Sequence, residues 1–524
     1  MAGLFRSTAT ISAMTLISRI LGFVRDMVLA RVFGAGMATD AFFVAFKLPN
    51  FFRRMFGEGA FATAFVPVFT EYREQRSGEE LQGLLAAVSG VLAVVVAAVT
   101  LLGMAAAPLL VWGLAPGFGD DPEKMALTAD LLRITFPYLF LISLVALAGG
   151  VLNTFGRFAA PAFTPVLLNV AMILAAGVAA PYFEVPIAAL AWGVLAGGVL
   201  QLGFQWPFLR RLGMAVRPRF RPGHPGVRRI ARLMGPSMLS VSVAQISVLI
   251  DTILASLLAG GSVSYLYYAD RLVQFPLGLF GIALGTAILP TLSRLVSQGR
   301  DADYGVTLDR ALRMILTIGA PATAGLVLLG YPILATLFQY GEFDASATAA
   351  TYWALAAYAL GLMAFIGVKV LAPAFYSRQD TRTPVRIAVV ALLANIVLNL
   401  ALIGPLAHAG LALATSLASF LNAGLLLRTL LARGLYRPQP GWPVHLAKVA
   451  LAVGAMLAAG WWAAPPPEAW DQAGAGGRAL DLTWAVGLAG VVYLASAWLL
   501  DVEEVRRAPR WLVGRLLEGR PGSR

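Results

Sequence analysis

The sequence predicts an all-α polytopic membrane protein of about fourteen transmembrane helices, and three observations predict it. Of its 524 residues, 59% are hydrophobic and 13% charged, where soluble domains run about 45–50% and about 25%. Mean hydropathy is +0.77, and so little charge cannot cover a soluble protein of this size. Apolar runs near or above the ~20 residues that span a bilayer recur along the chain. Finally, the basic residues, 40 against 27 acidic ones, gather in alternate loops.

Gly, Pro and charged residues punctuate the runs. They set helices, in order, at 7–33, 37–70, 82–113, 126–155, 161–181, 186–210, 227–258, 264–296, 305–338, 347–376, 384–404, 407–433, 443–464 and 480–500. Arg19 and Arg25 interrupt the first run, and no A-x-A site follows a compact apolar region. That is not the pattern of a cleaved signal peptide, so the first helix is expected to stay in the mature protein.

One set of loops holds Arg73 and Arg76, Arg157, the cluster Arg210, Arg211, Arg217, Arg219, Arg221, Arg228, Arg229 and Arg232, then Arg294 and Arg300, Arg378 and Arg382, Arg433 and Arg437. It ends in a tail with Arg506, Arg507, Arg510 and Arg515. The other set holds Asp120, Asp121, Glu123, Glu184, Glu342, Asp344 and Glu468, balanced by little besides Lys124 and Arg478. The positive-inside rule then places both termini in the cytoplasm. The net charge of +13 needs no nucleic acid to explain it.

The chain also resembles itself. Ala45-Phe46-Lys47-Leu48 followed by Ala64-Phe65-Val66-Pro67 is echoed by Ala269-Asp270-Arg271-Leu272 followed by Ala287-Ile288-Leu289-Pro290, and Thr164-Pro165-Val166 by Thr383-Pro384-Val385. The shared order predicts two parallel-repeat six-helix lobes. The expected organisation is an N-terminal lobe over 1–210, a basic cytoplasmic linker over 211–226, a C-terminal lobe over 227–433, two extra helices within 434–500 and a cytoplasmic tail over 501–524. Transporters built from such repeats place substrate between the halves, near mid-membrane.

Cysteine is absent and His224, His408 and His445 are the only histidines. Disulfides, thiolate nucleophiles, Fe–S clusters and Cys-based zinc sites are therefore excluded. A membrane enzyme such as a polyprenyl-phosphate glycosyltransferase would need a carboxylate pair for Mg²⁺. The adjacent pair Asp120-Asp121 lies in an outside loop, away from cytoplasmic nucleotide-sugars, so no enzymatic activity is expected.

The informative charges lie inside the apolar runs: Arg19, Arg25 and Asp26 on the first helix, Asp40, Lys47, Arg53, Arg54 and Glu58 on the second, Asp270 and Arg271 on the eighth. An arginine at the bilayer centre costs roughly 2.5–3.5 kcal/mol on insertion scales. Four facing lipid would cost on the order of 10 kcal/mol, comparable to a protein's whole stability. At about 100° per residue, Asp40, Lys47 and Arg54 share one stripe, and Arg19 and Asp26 another; Gly22 and Pro49 mark places for a bend. Internal ion pairs (Arg25–Asp26, Asp270–Arg271) are the plainer alternative, but sequence neighbours do not face each other on a helix. A cationic, water-filled cavity fits better. Guanidinium forks match phosphate oxygens bidentately, so converging arginines suit a diphosphate.

A fainter group comprises Asp251, the i,i+4 pair Asn395 and Asn399, and Thr415. Its oxygen donors fit a hard cation such as Na⁺, with interhelical hydrogen bonding the alternative. Lys369, on the tenth helix, is a further intramembrane charge with either a pairing or a transport role.

The stretch Asp40-Ala41-Phe42-Phe43-Val44-Ala45-Phe46-Lys47-Leu48-Pro49-Asn50, then Arg53-Arg54 and Glu58-Gly59-Ala60-Phe61, resembles the bacterial lipid II flippase family, MurJ (MviN). So do Tyr267-Tyr268-Ala269-Asp270-Arg271-Leu272, Ala372-Pro373-Ala374-Phe375-Tyr376-Ser377-Arg378-Gln379-Asp380 and Pro438-Gln439-Pro440-Gly441-Trp442. The resemblance implies the fold of the multidrug/oligosaccharidyl-lipid/polysaccharide exporter superfamily. It also implies transfer of undecaprenyl-diphosphate-linked peptidoglycan precursor from the cytoplasmic to the periplasmic leaflet of the bacterial inner membrane, by alternating access. Its substrate-binding residues match Arg19, Arg25, Asp40, Arg53 and Arg271. A sodium site of some members maps onto Asp251, Asn395, Asn399, Leu411 (by its carbonyl) and Thr415, with Na⁺ as coupling ion. Asn399 stands where some members carry a carboxylate. The implied partners are lipid II, membrane lipids and the cell-wall synthesis machinery. A flippase for another polyprenyl-linked saccharide, such as O-antigen, shares the architecture.

Overall fold

A computed structural model describes residues 2–57 and 60–506. Glu58 and the tail residues Arg507, Arg510 and Arg515 lie outside the described residues. Among those described, helices are joined by short connections, with no strand among them. The helices are α1 (Ala2–Phe33), α2 (Met37–Gly57), α3 (Ala60–Gln75), α4 (Gly78–Ala105), α5 (Ala107–Leu114), α6 (Pro122–Thr135), α7 (Tyr138–Thr154), α8 (Ala159–Leu174), α9 (Ala188–Arg211) and α10 (Pro225–Ser256). They continue with α11 (Ser262–Pro276), α12 (Ile282–Ser297), α13 (Asp301–Leu337), α14 (Ala345–Leu360), α15 (Leu362–Tyr376), α16 (Arg382–Ala432), α17 (Trp442–Ala463), α18 (Pro467–Gln472) and α19 (Ala475–Leu499).

Local chemistry sets many of these boundaries. At the head of α4, Ser77 Oγ accepts from Glu80 N at 3.3 Å while Ser77 N donates to the Glu80 carboxylate at 3.2 Å, a reciprocal capping box. Asp121, Asp344 and Asp380 cap α6, α14 and α16 by accepting from Lys124 N, Ala347 N and Thr383 N. Within α16 the residue Ala407 leaves the helix (φ 48°, ψ −130°), at the boundary expected between 384–404 and 407–433. Ten helical stretches among the described residues are long and apolar enough to cross a membrane. These stretches take in eleven of the fourteen expected segments, Arg382–Ala432 alone holding two, while 7–33, 37–70 and 227–258 fall outside them.

The chain forms two compact units: Met1–Ser264 with Tyr340–Phe343, and Tyr265–Gln339 with Asp344–Arg524. In the first, Phe61, Phe65 and Phe69 stack at 5.3 and 5.0 Å between ring centroids and pack with Leu84, Val88, Val151 and Leu152. Val227 and Ile230, at the start of α10, join the same core. Packing therefore carries α10 with the first unit, whereas the sequence repeat groups it with the second lobe. The linker also belongs to this unit: Arg219 N donates to Ala86 O at 2.8 Å, and Gln82 Nε2 to Gly213 O at 3.0 Å. Gly90 makes that crossing possible, because a β-carbon there would stand 2.3 Å from the Arg219 backbone.

In the second unit α17 and α19 pack on each other through Val449, Ala452, Met456, Ala489 and Tyr493, and on α13 through Leu316, Ala320 and Ala324. Polar contacts fasten both ends of this assembly. At one end Asp309 Oδ1 accepts from Tyr436 OH (2.6 Å), Trp442 Nε1 (2.7 Å) and Gln439 N (3.0 Å), while its Oδ2 takes Arg313 Nε at 2.8 Å. At the other, the buried Arg478 guanidinium donates to the carbonyls of Trp470, Ala335 and Gln339.

Candidate functional site

In the first unit, α1 presents Arg19 exposed and Arg25 buried. Arg25 donates to Asp26 Oδ1 through Nε (3.0 Å) and Nη2 (2.6 Å), and to Asn169 Oδ1 through Nη1 (3.1 Å). Asn169 in turn donates to Ser18 O at 3.0 Å. This corrects the helix-geometry expectation, since Arg25 and its sequence neighbour Asp26 do pair. The long arginine side chain folds back along α1, so it reaches a carboxylate whose Cβ points elsewhere. Desolvation favours it too: a buried guanidinium needs a counter-charge, and charge-assisted hydrogen bonds, here two converging on Asp26 Oδ1, are the strong kind. Arg53, half-buried on α2, donates to Asn50 Oδ1 at 2.9 Å, and Arg54 to Gln245 Oε1 at 3.4 Å.

Asp40 also lies on α2, in its first turn, and is 1% exposed. Its Oδ1 accepts from Ser264 N (2.9 Å) and Ser264 Oγ (2.6 Å); its Oδ2 accepts from Gly261 N (2.7 Å) and Lys124 Nζ (3.2 Å). Lys124 is buried as well, with its ammonium 4.0 Å from the centroid of the Phe118 ring. Elsewhere in this unit, Glu342 N donates to Arg31 O at 3.0 Å. Gly34 (φ +65°) and Gly341 (φ +60°) allow that approach, because a β-carbon on either would strike the opposing backbone at 2.4 or 2.2 Å. Sequence reasoning found Asp40 but not its partners, and it read Lys124 as a loop charge.

The second unit carries Arg271, half-buried on α11. Its Nη2 meets Tyr267 OH at 3.4 Å, and its guanidinium sits 5.5 Å from that ring's centroid. One turn on, Gln274 Nε2 donates to Asp270 Oδ2. Thus Arg19, Arg25, Asp40 and Arg53 belong to one unit and Arg271 to the other.

Of the candidate cation ligands, four come together inside the second unit. Asn399 Nδ2 donates to Asn395 Oδ1 at 3.2 Å, Asn395 Nδ2 approaches Thr415 Oγ at 3.4 Å, and Thr415 Oγ donates to Leu411 O at 3.1 Å. These side chains and the Leu411 carbonyl engage one another as neutral partners, and no carboxylate stands among the four. Asp251 lies on α10, in the first unit.

Outside the bilayer, His224 caps α10: its Nδ1 accepts from Gly226 N at 3.1 Å. Partial burial and the neighbouring Arg221 hold its pKa below the ordinary histidine value.

The family model for the lipid II flippase MurJ matches residues 29–469. This chain belongs to the MurJ family. A probable lipid II flippase MurJ of Vibrio cholerae is 45% identical over 506 residues, covering 95% of this chain and 96% of its own. The lipid II flippase MurJ of Burkholderia cenocepacia is 44% identical over 443 residues, covering 84% and 86%. Among solved structures, a lipid II flippase MurJ in an inward closed conformation superposes with a TM-score of 0.79 at 26% identity, covering 94% of this chain and 99% of that one. An inward-facing multidrug transporter of the MATE family has the same fold, with a TM-score of 0.67 at 15% identity. Like other MurJ proteins, this one is an integral membrane transporter and not an enzyme.

Proposed function

We propose that this MurJ-family chain moves lipid II from the cytoplasmic to the periplasmic leaflet of the bacterial inner membrane by alternating access, with both termini cytoplasmic. The observation that carries the reading is the family match over 29–469, supported by intramembrane arginines that a purely apolar cargo would not need. No bond is broken. The negative headgroup is held electrostatically while the two lobes rock about it. Outward movement of an anion runs downhill in a cell with a negative interior, by about 2.3 kcal/mol per charge per 100 mV.

Each residue takes a role from its surroundings. Arg19, Arg53 and Arg271, exposed or half-buried, contact the diphosphate. Arg25 is held in a fixed orientation by Asp26 and Asn169 and offers charge from a preorganised position. Asp40 has both carboxylate oxygens engaged, so we assign it to a clasp that joins the starts of α2, α6 and α11 and releases when that end opens. The polyprenyl tail stays in lipid, along an apolar cavity of about 470 Å³ lined by Ala320, Ala324, Val327, Leu328, Leu457 and Trp461. Na⁺ is proposed as coupling ion, held by Asn395, Asn399, Leu411 and Thr415 with Asp251 supplying the negative charge. The implied partners are lipid II, membrane lipids and the cell-wall synthesis machinery.

The test is complementation of a strain depleted of its own lipid II flippase. Growth with lipid II reaching the periplasmic face is the expected result; lysis with lipid II retained inside, at normal membrane expression, would refute the reading.

A further inference from the structure

Lys369 lies on α15 within a membrane-spanning stretch, and its side chain is exposed. Among the described residues it has no hydrogen-bond or ion-pair partner. Of the two roles open from sequence, pairing is therefore not the one taken. An intramembrane ammonium must face water or a ligand, and the surface around it says which.

Among the described residues, the exposed positions of the neighbouring α12 are Ala283, Thr286, Ala287 and Pro290, then Arg294 and Ser297 near its end. Among the described residues, no large hydrophobic side chain of α12 is exposed, and on α15 Tyr376 is the sole one. Lipid-facing α16 differs sharply, exposing Val385, Val389, Val390, Leu393, Val397 and Leu400. A spanning helix whose open face is small and polar borders water rather than acyl chains. Gly285 draws the two helices together at this point, since a β-carbon there would stand 2.8 Å from Lys369 O.

Arg271 lies on the same unit at another depth. At 1.5 Å per residue, Arg271 is about 14 Å along α11 from Ser262, and Lys369 is about 36 Å from Ala345 along α14 and α15. Lys369 thus sits at the middle of α15, about 10 Å along the helix from Tyr376 at 1.5 Å per residue. A diphosphate bound at Arg271 cannot also reach it. We infer that Lys369 is a second anion subsite on the water-facing wall of this unit, which receives an ionised carboxylate from the peptide portion of the headgroup. The inference rests on lipid II being the cargo.

The test uses the full chain in nanodiscs and two probes: lipid II with free peptide carboxylates, and lipid II with those carboxylates amidated. Wild-type protein should prefer the free-carboxylate form by about three- to fivefold, the scale of one solvent-accessible ion pair. Lys369→Gln should lose that preference with unchanged binding of the amidated form, and Lys369→Arg should restore it. Because Lys369 is exposed and unpartnered, Lys369→Gln should melt like wild type. A preference that survives Lys369→Gln, or is absent from wild type, overturns the subsite alone. Failure of the wild-type chain to bind either probe overturns the flippase reading, and the subsite with it.

Discussion

Asp40 and Ser264 stand 224 positions apart, the offset that also separates Ala45 from Ala269, and two hydrogen bonds of 2.9 and 2.6 Å join them. The starts of two repeat-equivalent helices, α2 and α11, therefore meet at their own equivalent residues. One copy supplies a carboxylate, and the other its first-turn amide and hydroxyl. The anion also sits where the unsatisfied amides of a helix N-terminus favour negative charge.

This geometry makes the charge at position 40 interdependent with Lys124. Asp40→Ala should leave the buried ammonium uncompensated and lower stability by about 3–5 kcal/mol. Adding Lys124→Met should recover part of the loss, because the orphaned charge is gone. Thermal unfolding of the purified single and double variants checks this; simple additivity would show that the two residues are not coupled.

Asn169 should matter through Arg25. Asn169→Ala removes one hydrogen bond to the guanidinium and the tie to Ser18, at a cost of about 1.5–3 kcal/mol for a hydrogen bond to a charged group. In a double-mutant cycle with Arg25→Ala, the second substitution should then cost little more. Equal penalties in both backgrounds would show that Asn169 acts elsewhere.

The linker after α9 should depend on its backbone more than on its charges. Gly90→Ala forces a β-carbon into the Arg219 main chain and should destabilise the first unit by about 1–3 kcal/mol. Arg217→Ala and Arg221→Ala should be nearly silent in flipping, since many neighbouring arginines remain. Loss of function in either arginine variant, at normal expression, would contradict this.

His224 gives a pH signature with a definite sign. Its pKa in the folded chain is lowered, so folding favours the neutral ring. The stability it contributes is full above the unfolded value of about 6.5 and is lost as pH falls through the depressed folded value. His224→Asn keeps a capping acceptor and removes the titration. Melting temperature between pH 7.5 and pH 5.5 should fall less in His224→Asn than in wild type; identical profiles would refute the assignment.

Sequence revealed the helices because burial in lipid writes itself into composition, and it marked the break near Ala407 through Gly404 and Pro405. It also singled out the intramembrane arginines, whose insertion cost makes them conspicuous. The surroundings of those arginines were less legible. Arg25–Asp26 pairing depends on how a long side chain folds back, which helical angle alone does not encode. The Asp40 node gathers Lys124 from the start of α6 and Gly261 and Ser264 from the α10–α11 junction, and only tertiary packing brings them together. One clue was present in the repeat: Ser264 occupies the position equivalent to Asp40.

The central claim is that the arginines act as a charge-and-geometry set on a diphosphate. It is tested most directly by periplasmic exposure of lipid II in cells relying on variants at Arg19, Arg25, Arg53 or Arg271, alongside a membrane-expression blot. Replacement by Ala should abolish exposure at normal expression. Replacement by Lys should be intermediate, because lysine keeps the charge but loses the planar fork; one lost charge-assisted hydrogen bond of about 1.5–3 kcal/mol weakens binding roughly ten- to a hundredfold. Ala variants that insert normally and expose lipid II as wild type does would contradict the account.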